Sequence, residues 1–374
     1  MRNALTRSWQ ERLRYGGRWV LMAGCLTIGL VAVGSAGRAV AADQLVTSEG
    51  TMFGTITDIS PDAIDFDGTR GGRQKISVAD IVMVQFGDEP RAVTDAKRLL
   101  LEDDYAAALA ALAGVETADL DEAVVAIRAE GDYVRAAATA GQALATGTEL
   151  PAAQQLVEGF LDRYSRTIHR YAMLELAGRL ALAAGDVEAA IARYQELASG
   201  PPAVAIRAAR LEGDALLGAG QPQEATAAFQ RALAIRAGDA ASQREKWAAE
   251  LGVAGSLVTQ QRPVEAVAAI RQVLAAAEVP ASGDRQAERL IAAGYGLLGK
   301  ACLAADQQQD ALVAYLTVDL VYPSDPGLHA EALAHLVALW REGGYPQRAA
   351  EARRRLEQQY PASRWSAALS ADGS

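Results

Sequence analysis

Apolar and polar positions change texture along the chain and divide it into three stretches. The first carries scattered Arg and then a charge-free apolar run from Trp19 to Val33. The second, from Gln44 to Phe86, alternates at period two. In Phe53-Gly54-Thr55-Ile56-Thr57-Asp58-Ile59 the β-branched residues fall on every second position, as a half-buried strand requires. Ser60-Pro61-Asp62 breaks that run; beyond it Ile64 and Phe66 point to one face and Asp65 and Asp67 to the other, until Gly68 and Gly71-Gly72. Lys75 to Val78 and Ile81 to Phe86 supply two more strands, the last a nearly continuous apolar run. Five short strands in so few residues predict a small curled barrel. Glu89-Pro90 marks a boundary, and from there to Pro361 the apolar spacing is helical.

The helical stretch repeats itself. Gly185-Asp186-Val187 is followed by Ala190, Ile191, Tyr194, Leu197 and Pro202; thirty-five residues on, Gly220-Gln221-Pro222 leads to Ala225, Phe229, Ala232 and Leu233. Each turn has a Gly seven residues before it, Gly178 and Gly213, and a third set runs from Gly299 through Asp306 to Ala311, Tyr315, Val318 and Pro323. The pattern predicts helix–turn–helix units in which small residues allow close approach and an aromatic fills the space between helices. Weaker units turn at Asp103-Asp104-Tyr105, Gly131-Asp132-Tyr133, Gln261-Arg262-Pro263 and Gly343-Gly344-Tyr345, making seven, with one extra helix from Ala152 to Tyr164 in the long gap.

These repeats resemble the tetratricopeptide repeat, with its small residue in the first helix, its Ala and aromatic in the second, and a closing Pro. The segment "EGTMFGTITDIS" resembles the first hairpin of Sm-like or SH3-like barrels, without the RNA-contacting residues of Sm proteins. Tyr322-Pro323 and Tyr360-Pro361-Ala362-Ser363 resemble the repeat junctions of exported bacterial scaffolds, where Pro stops one helix and Ser caps the next. The resemblance implies that positions 2, 5, 9 and 12 of each first helix line a concave face. Counted from Gly178, Gly213 and Gly299 as position 8, these include Glu175, Arg179, Arg207, Arg210, Asp214 and Lys300. The set is mixed in charge, so it lacks the Lys and Asn pattern that grips a terminal carboxylate and fits a groove for a peptide or a partner's helix.

Charge and composition sharpen the picture. The net charge is −10, but the first 41 residues hold six Arg and one acid, and removing their net +5 leaves −15 on the remainder, a body that a phosphate backbone would repel. Basic residues, a short apolar run and Ala39-Val40-Ala41 compose an export signal over residues 1–41. An uncleaved anchor, or lipidation at Cys25 in Met22-Ala23-Gly24-Cys25, are the alternatives. Beyond Cys25 only Cys302 remains, so no internal disulfide forms. An Ala- and Arg-rich chain with four Lys and one Asn has the bias of a GC-rich bacterial coding sequence, which makes the periplasm the expected compartment.

Candidate chemistry reduces to mimicry. Gly294-Tyr295-Gly296-Leu297-Leu298-Gly299 reads as a dinucleotide fingerprint, yet it lies inside a helical pattern where backbone N–H groups are already used. Asp65-Phe66-Asp67-Gly68 resembles part of a calcium loop that lacks its first and last acids, and reads as a hairpin turn. His169, His329 and His335 have no metal-ligand spacing and read as surface or half-buried, Cys302 as a core thiol, and Tyr105, Tyr133, Tyr194, Phe229 and Tyr315 as packing between helices.

The sequence therefore predicts an export signal (1–41), a small β-barrel (42–88), a mainly α solenoid of antiparallel helix pairs (89–361) and a C-terminal cap helix with tail (362–374), Trp365 covering the last repeat. The expected function is a non-catalytic periplasmic scaffold with no cofactor and no metal, binding an envelope protein or peptide and no nucleic acid, and touching membrane only through its N-terminus. A carbohydrate- or small-ligand-binding envelope module is the alternative.

Overall fold

A computed structural model of the chain describes residues 42–47, 49–115, 125–277 and 285–371. The export signal expected over residues 1–41 lies outside them.

Five strands come first: β1 (Asp43–Thr47), β2 (Gly50–Ile59), β3 (Ala63–Gly68), β4 (Gly72–Ser77) and β5 (Ile81–Gln85), with a short 3-10 turn at Val78–Asp80 before β5. All neighbours are antiparallel, in the order β4-β3-β2-β1-β5. No ladder among the described residues joins β4 to β5, so what is seen is a five-stranded sheet with β5 at one edge. Asp65 and Asp67 are paired within β3 rather than in a turn; the left-handed backbone of the hairpin belongs to Gly71 and Gly72. Leu45, Ile64, Phe66, Val84 and Phe86 share one core with Val93, Ala96, Ala108, Leu112, Ile127, Val134, Ala138 and Ile168, so the sheet buries its apolar face on the first helices.

The helices pair in sequence: α1 (Arg91–Leu101) with α2 (Tyr105–Leu112), α3 (Val125–Thr146) with α4 (Leu150–Arg163), α5 (Arg170–Ala183) with α6 (Val187–Leu197), and α7 (Pro202–Gly218) with α8 (Pro222–Ala234). Then come α9 (Ala240–Thr259) with α10 (Pro263–Ala276), α11 (Arg285–Ala304) with α12 (Gln308–Val321), and α13 (Pro326–Glu342) with α14 (Pro346–Gln359), while α15 (Arg364–Ala371) packs on the last pair. Each helix meets its sequence neighbours, which makes the array a tetratricopeptide-like solenoid.

One turn geometry repeats. In six pairs the turn residue takes a left-handed backbone: Asp103, Gly185, Gly220, Gln261, Asp306 and Gly344. At each, the next residue's N–H reaches back five positions: Asp104 to Leu99 (3.0 Å), Asp186 to Ala181 (2.8 Å), Gln221 to Leu216 (2.9 Å), Arg262 to Leu257 (2.9 Å), Gln307 to Cys302 (2.8 Å) and Tyr345 to Trp340 (2.8 Å). This is the Schellman closure of a helix C-terminus. Asp104, Asp186, Asp239, Asp325 and Ser363 then accept from the third N–H beyond them. The junction after Pro323 is thus capped by Asp325 rather than by Ser324.

The second pair corrects the sequence reading. Gly131-Asp132-Tyr133 does not turn; it lies inside α3, and the pair turns at Gly147, φ 70°. Asp132 is occupied elsewhere, holding Arg163 (2.9 Å), Arg135 (3.2 Å) and the Tyr164 hydroxyl (2.8 Å). With 147 replacing 131, the intervals between turns become 44, 38, 35, 41, 45 and 38, and the anomalous gap disappears. The extra helix expected over 152–164 is α4, the second member of this pair.

Small residues sit seven positions before six of the seven turns, at Ala96, Ala140, Gly178, Gly213, Ala254 and Gly299, all buried, while Val337 holds the place before Gly344. A Cβ added at Gly213 would lie 2.6 Å from Phe229, and one at Gly299 2.5 Å from Tyr315. The aromatics that fill these gaps, Tyr194, Phe229 and Tyr315, are among the largest fully buried side chains.

Candidate interaction groove

The first helices of successive pairs line one side of the solenoid, and the edge of the sheet faces part of it. Between them lies a cavity of about 440 Å³. One wall is apolar: Ile81, Val82 and Met83 of β5, with Leu100 and Leu101 at the end of α1. The first helices contribute polar side chains to the lining, Glu175 on α5, Arg207 on α7, Arg244 and Glu245 on α9, and Gln286 on α11.

Of the six residues expected in a groove, Glu175 and Arg207 line this cavity, and Arg210 and Asp214 join them through a shared ion-pair network. Arg207 Nε lies 3.2 Å from Glu175 Oε2 and 3.5 Å from Glu245 Oε1. Arg210 Nε meets the other oxygen of Glu245 at 2.8 Å, and its NH1 meets Asp214 at 2.5 Å. Burial disfavours the Arg210 charge, but Asp214 and Glu245 outweigh it and leave the guanidinium more firmly protonated than usual. The other two stand apart. Arg179 borders a second cavity of about 340 Å³, beside Tyr105, Gly141 and Leu176. Lys300 pairs with Glu331 at 2.5 Å, bridging α11 to α13.

Glu245, the residue that joins the two arginines, escaped the sequence reading. It lies nine positions before Ala254, upstream of the counted repeat positions, on about two turns that α9 adds at its N-terminus. It stands 35 residues from Arg210, whereas the turns of their two units are 41 apart, so the repeat register does not point to it.

The floor of the cavity holds a buried polar latch. Lys97 Nζ donates to the Val84 carbonyl (2.5 Å), Glu89 (2.6 Å) and Glu130 (2.9 Å), and Thr94 donates to the second oxygen of Glu89 (2.7 Å). The second oxygen of Glu130 meets His169 Nε2 at 2.8 Å, and Tyr133 stacks on the imidazole at 3.6 Å. Burial pushes the Glu130 carboxyl up, yet His169 and Lys97 together more than reverse this and hold it down at about 2. At Glu89 burial prevails over Lys97, and the carboxyl is raised. Tyr133 is pushed up to about 12, by burial first and then by Glu130 and Glu175. All three ammonium protons of Lys97 are engaged, so the cluster fastens β5, α1, α3 and α5 together and offers no spare proton donor from the lysine.

The remaining candidates fall into packing roles. The Gly294–Gly299 motif is mid-helix in α11. Cys302 is buried, its thiol raised by desolvation. His329 is more buried than the sequence suggests, held between Asp319 (2.7 Å) and the Tyr360 hydroxyl (2.7 Å), with Arg355 forked onto the same aspartate. His335 stacks on Tyr315 at 4.5 Å and meets Trp365 of α15 at 5.6 Å. Among the described residues no cluster of His, Cys, Asp and Glu could hold a metal ion, and no helix is long and apolar enough to cross a membrane.

No family model and no curated protein matches the chain. Solved structures of similar architecture include the apo form of RapI, 14% identical with a TM-score of 0.49, covering 74% of this chain and 78% of that one. PilW, a type IV pilus biogenesis factor, is 18% identical with a TM-score of 0.44, over 62% of this chain and 94% of its own. The C-terminal part of a TPR repeat-containing protein from Cytophaga hutchinsonii is 16% identical with a TM-score of 0.40, over 73% of this chain and 96% of its own. Likeness at this level is one of helix-repeat architecture alone.

Proposed function

We propose that the chain is a non-catalytic scaffold of the bacterial periplasm that holds a segment of another envelope protein in the groove between β5 and the first helices α5, α7 and α9. One observation carries this reading. Arg207 pairs with Glu175 and Glu245 yet keeps 45% of its side chain exposed, and the cavity it lines is also lined by the exposed apolar side chains Val82 and Leu101. An oriented guanidinium opposite uncovered apolar side chains is a recognition surface. The basic and apolar leader with its small-residue end supports export.

The test places a photoreactive residue at Ala203 or Ala241, which line the groove, and at Val264, which is exposed on α10. In intact cells one protein should cross-link from both groove positions and not from Val264. The same adducts from all three positions, or none, would overturn the proposal, and the mass of the mature N-terminus tests export independently.

A further inference from the structure

β5 ends the sheet, and no described strand pairs with its outer side. Edge strands are normally guarded by charge, by Pro or by a cover, because their free N–H and C=O groups invite another strand. Here Ile81-Val82-Met83-Val84 contains neither charge nor Pro, and Val82 is 49% exposed. A register shift beside it, at Val46/Thr47, twists the edge. The Val84 carbonyl accepts from Lys97. This unguarded stretch opens into the groove, where α5, α7 and α9 form the opposite wall.

We infer that β5 is a strand acceptor: an extended segment of the partner adds to it as a sixth strand. The inference rests on the groove reading above and names the partner's chemistry. Five residues of β5 span roughly 17 Å at about 3.4 Å each, enough for a segment of similar length. Strand addition takes its affinity from the main chain and its selectivity from alternate side chains. One face of the incoming strand meets Val82 and Leu101, the latter 54% exposed, and takes β-branched or other apolar residues. The other meets Arg207, whose side chain is 45% exposed and whose planar guanidinium suits a carboxylate, so an Asp or Glu side chain belongs there.

The probe is a random library of twelve-residue peptides displayed on phage and selected against the full chain. A selected peptide is then synthesised with both ends capped and N-methylated at one amide at a time. Strand addition requires a period of two: alternate N-methyl groups each cost tenfold or more in affinity, and those between them cost little. Arg207→Gln should lose about as much as changing the peptide's acid to its amide, and the two together little more than either. A scan without alternation, in a peptide whose binding still depends on Arg207 and falls with Leu101→Glu, overturns strand addition and leaves the groove standing. Failure to select any peptide, or selected peptides indifferent to both Arg207→Gln and Leu101→Glu, overturns strand addition and counts against the groove as well.

Discussion

Two glycines of one helix, three residues apart, should respond to the same substitution with opposite sign. Both lie in the interior of α11. A Cβ at Gly296 meets nothing within 4 Å, so Gly296→Ala removes only the entropic penalty of glycine in a helix and should stabilise by about 0.5–1 kcal/mol. At Gly299 the same Cβ would stand 2.5 Å from Tyr315 Cζ, against about 3.5–4.0 Å for carbon atoms in contact. The ring cannot step away easily, because Tyr315 is fully buried and His335 stacks on it at 4.5 Å. Overpacking of this kind costs about 1–3 kcal/mol, and the helical gain of about 1 kcal/mol leaves Gly299→Ala destabilised by about 1 kcal/mol. The two variants should differ by about 2 kcal/mol, a separation of roughly 0.5–1 M in urea midpoint. Far-UV circular dichroism measures the midpoint, and hydrogen exchange over α11 and α12 supplies a local reading, since repeat arrays can unfold in parts. Tyr315→Leu should absorb most of the Gly299→Ala penalty, a coupling of about 1 kcal/mol. If Gly299→Ala stabilises as much as Gly296→Ala, or Tyr315→Leu leaves its cost unchanged, the close approach of helix and ring is not what holds the repeats together.

Three further outcomes follow from the turns and the latch. Gln261→Gly places glycine at φ 60° in an exposed turn and should raise stability by about 0.5–1 kcal/mol, read as a higher urea midpoint, whereas no change would mean the left-handed turn costs nothing there. Lys97→Met leaves Glu89 and Glu130 buried without their cation and should cost about 3–5 kcal/mol, most of it regained when both acids are changed to Gln; a cost below about 1 kcal/mol would refute the latch. Glu130 is depressed from its ordinary 4.5 to about 2 in the folded chain, so its contribution, on the order of 3 kcal/mol, is complete above about pH 4.5 and lost as the pH falls toward 2. Glu89, raised by burial, titrates higher and works against that trend. Stability measured by urea denaturation between pH 5 and 2 should therefore fall more steeply for the parent than for Glu130→Gln, and equal slopes would exclude this linkage.

The turns and the groove differ in how far the sequence exposes them, and the reason lies in the range of the interactions. Turns at Asp103, Gly185, Gly220, Gln261, Asp306 and Gly344 are local devices, closed within six residues by backbone geometry, so they are legible even where Gln or Asp replaces Gly. Gly131 misleads because a Gly-Asp pair carries the same local signal whether or not the helix stops. What decides against a turn is Asp132 binding Arg163 and Tyr164 more than thirty residues away. Ala140, seven residues before Gly147, held the correct register, but an alanine among many alanines is a weak mark where Gly178 and Gly213 are strong ones. The groove shows the same division. Glu175, Arg207, Arg210 and Asp214 are legible because each first helix repeats its geometry, whereas Glu245 lies on an extension outside the repeat. Val82 belongs to no repeat, Glu130 and His169 lie upstream of the counted positions of their helices, and Lys97 follows Ala96 in a unit whose small residue is an unremarkable alanine. They matter because the sheet folds back onto the solenoid, and that return brings residues more than seventy positions apart to one cavity. A repeat pattern thus exposes the frame of an interaction surface, while the junction between unlike elements, which periodicity does not describe, supplies the chemistry that would make the surface selective.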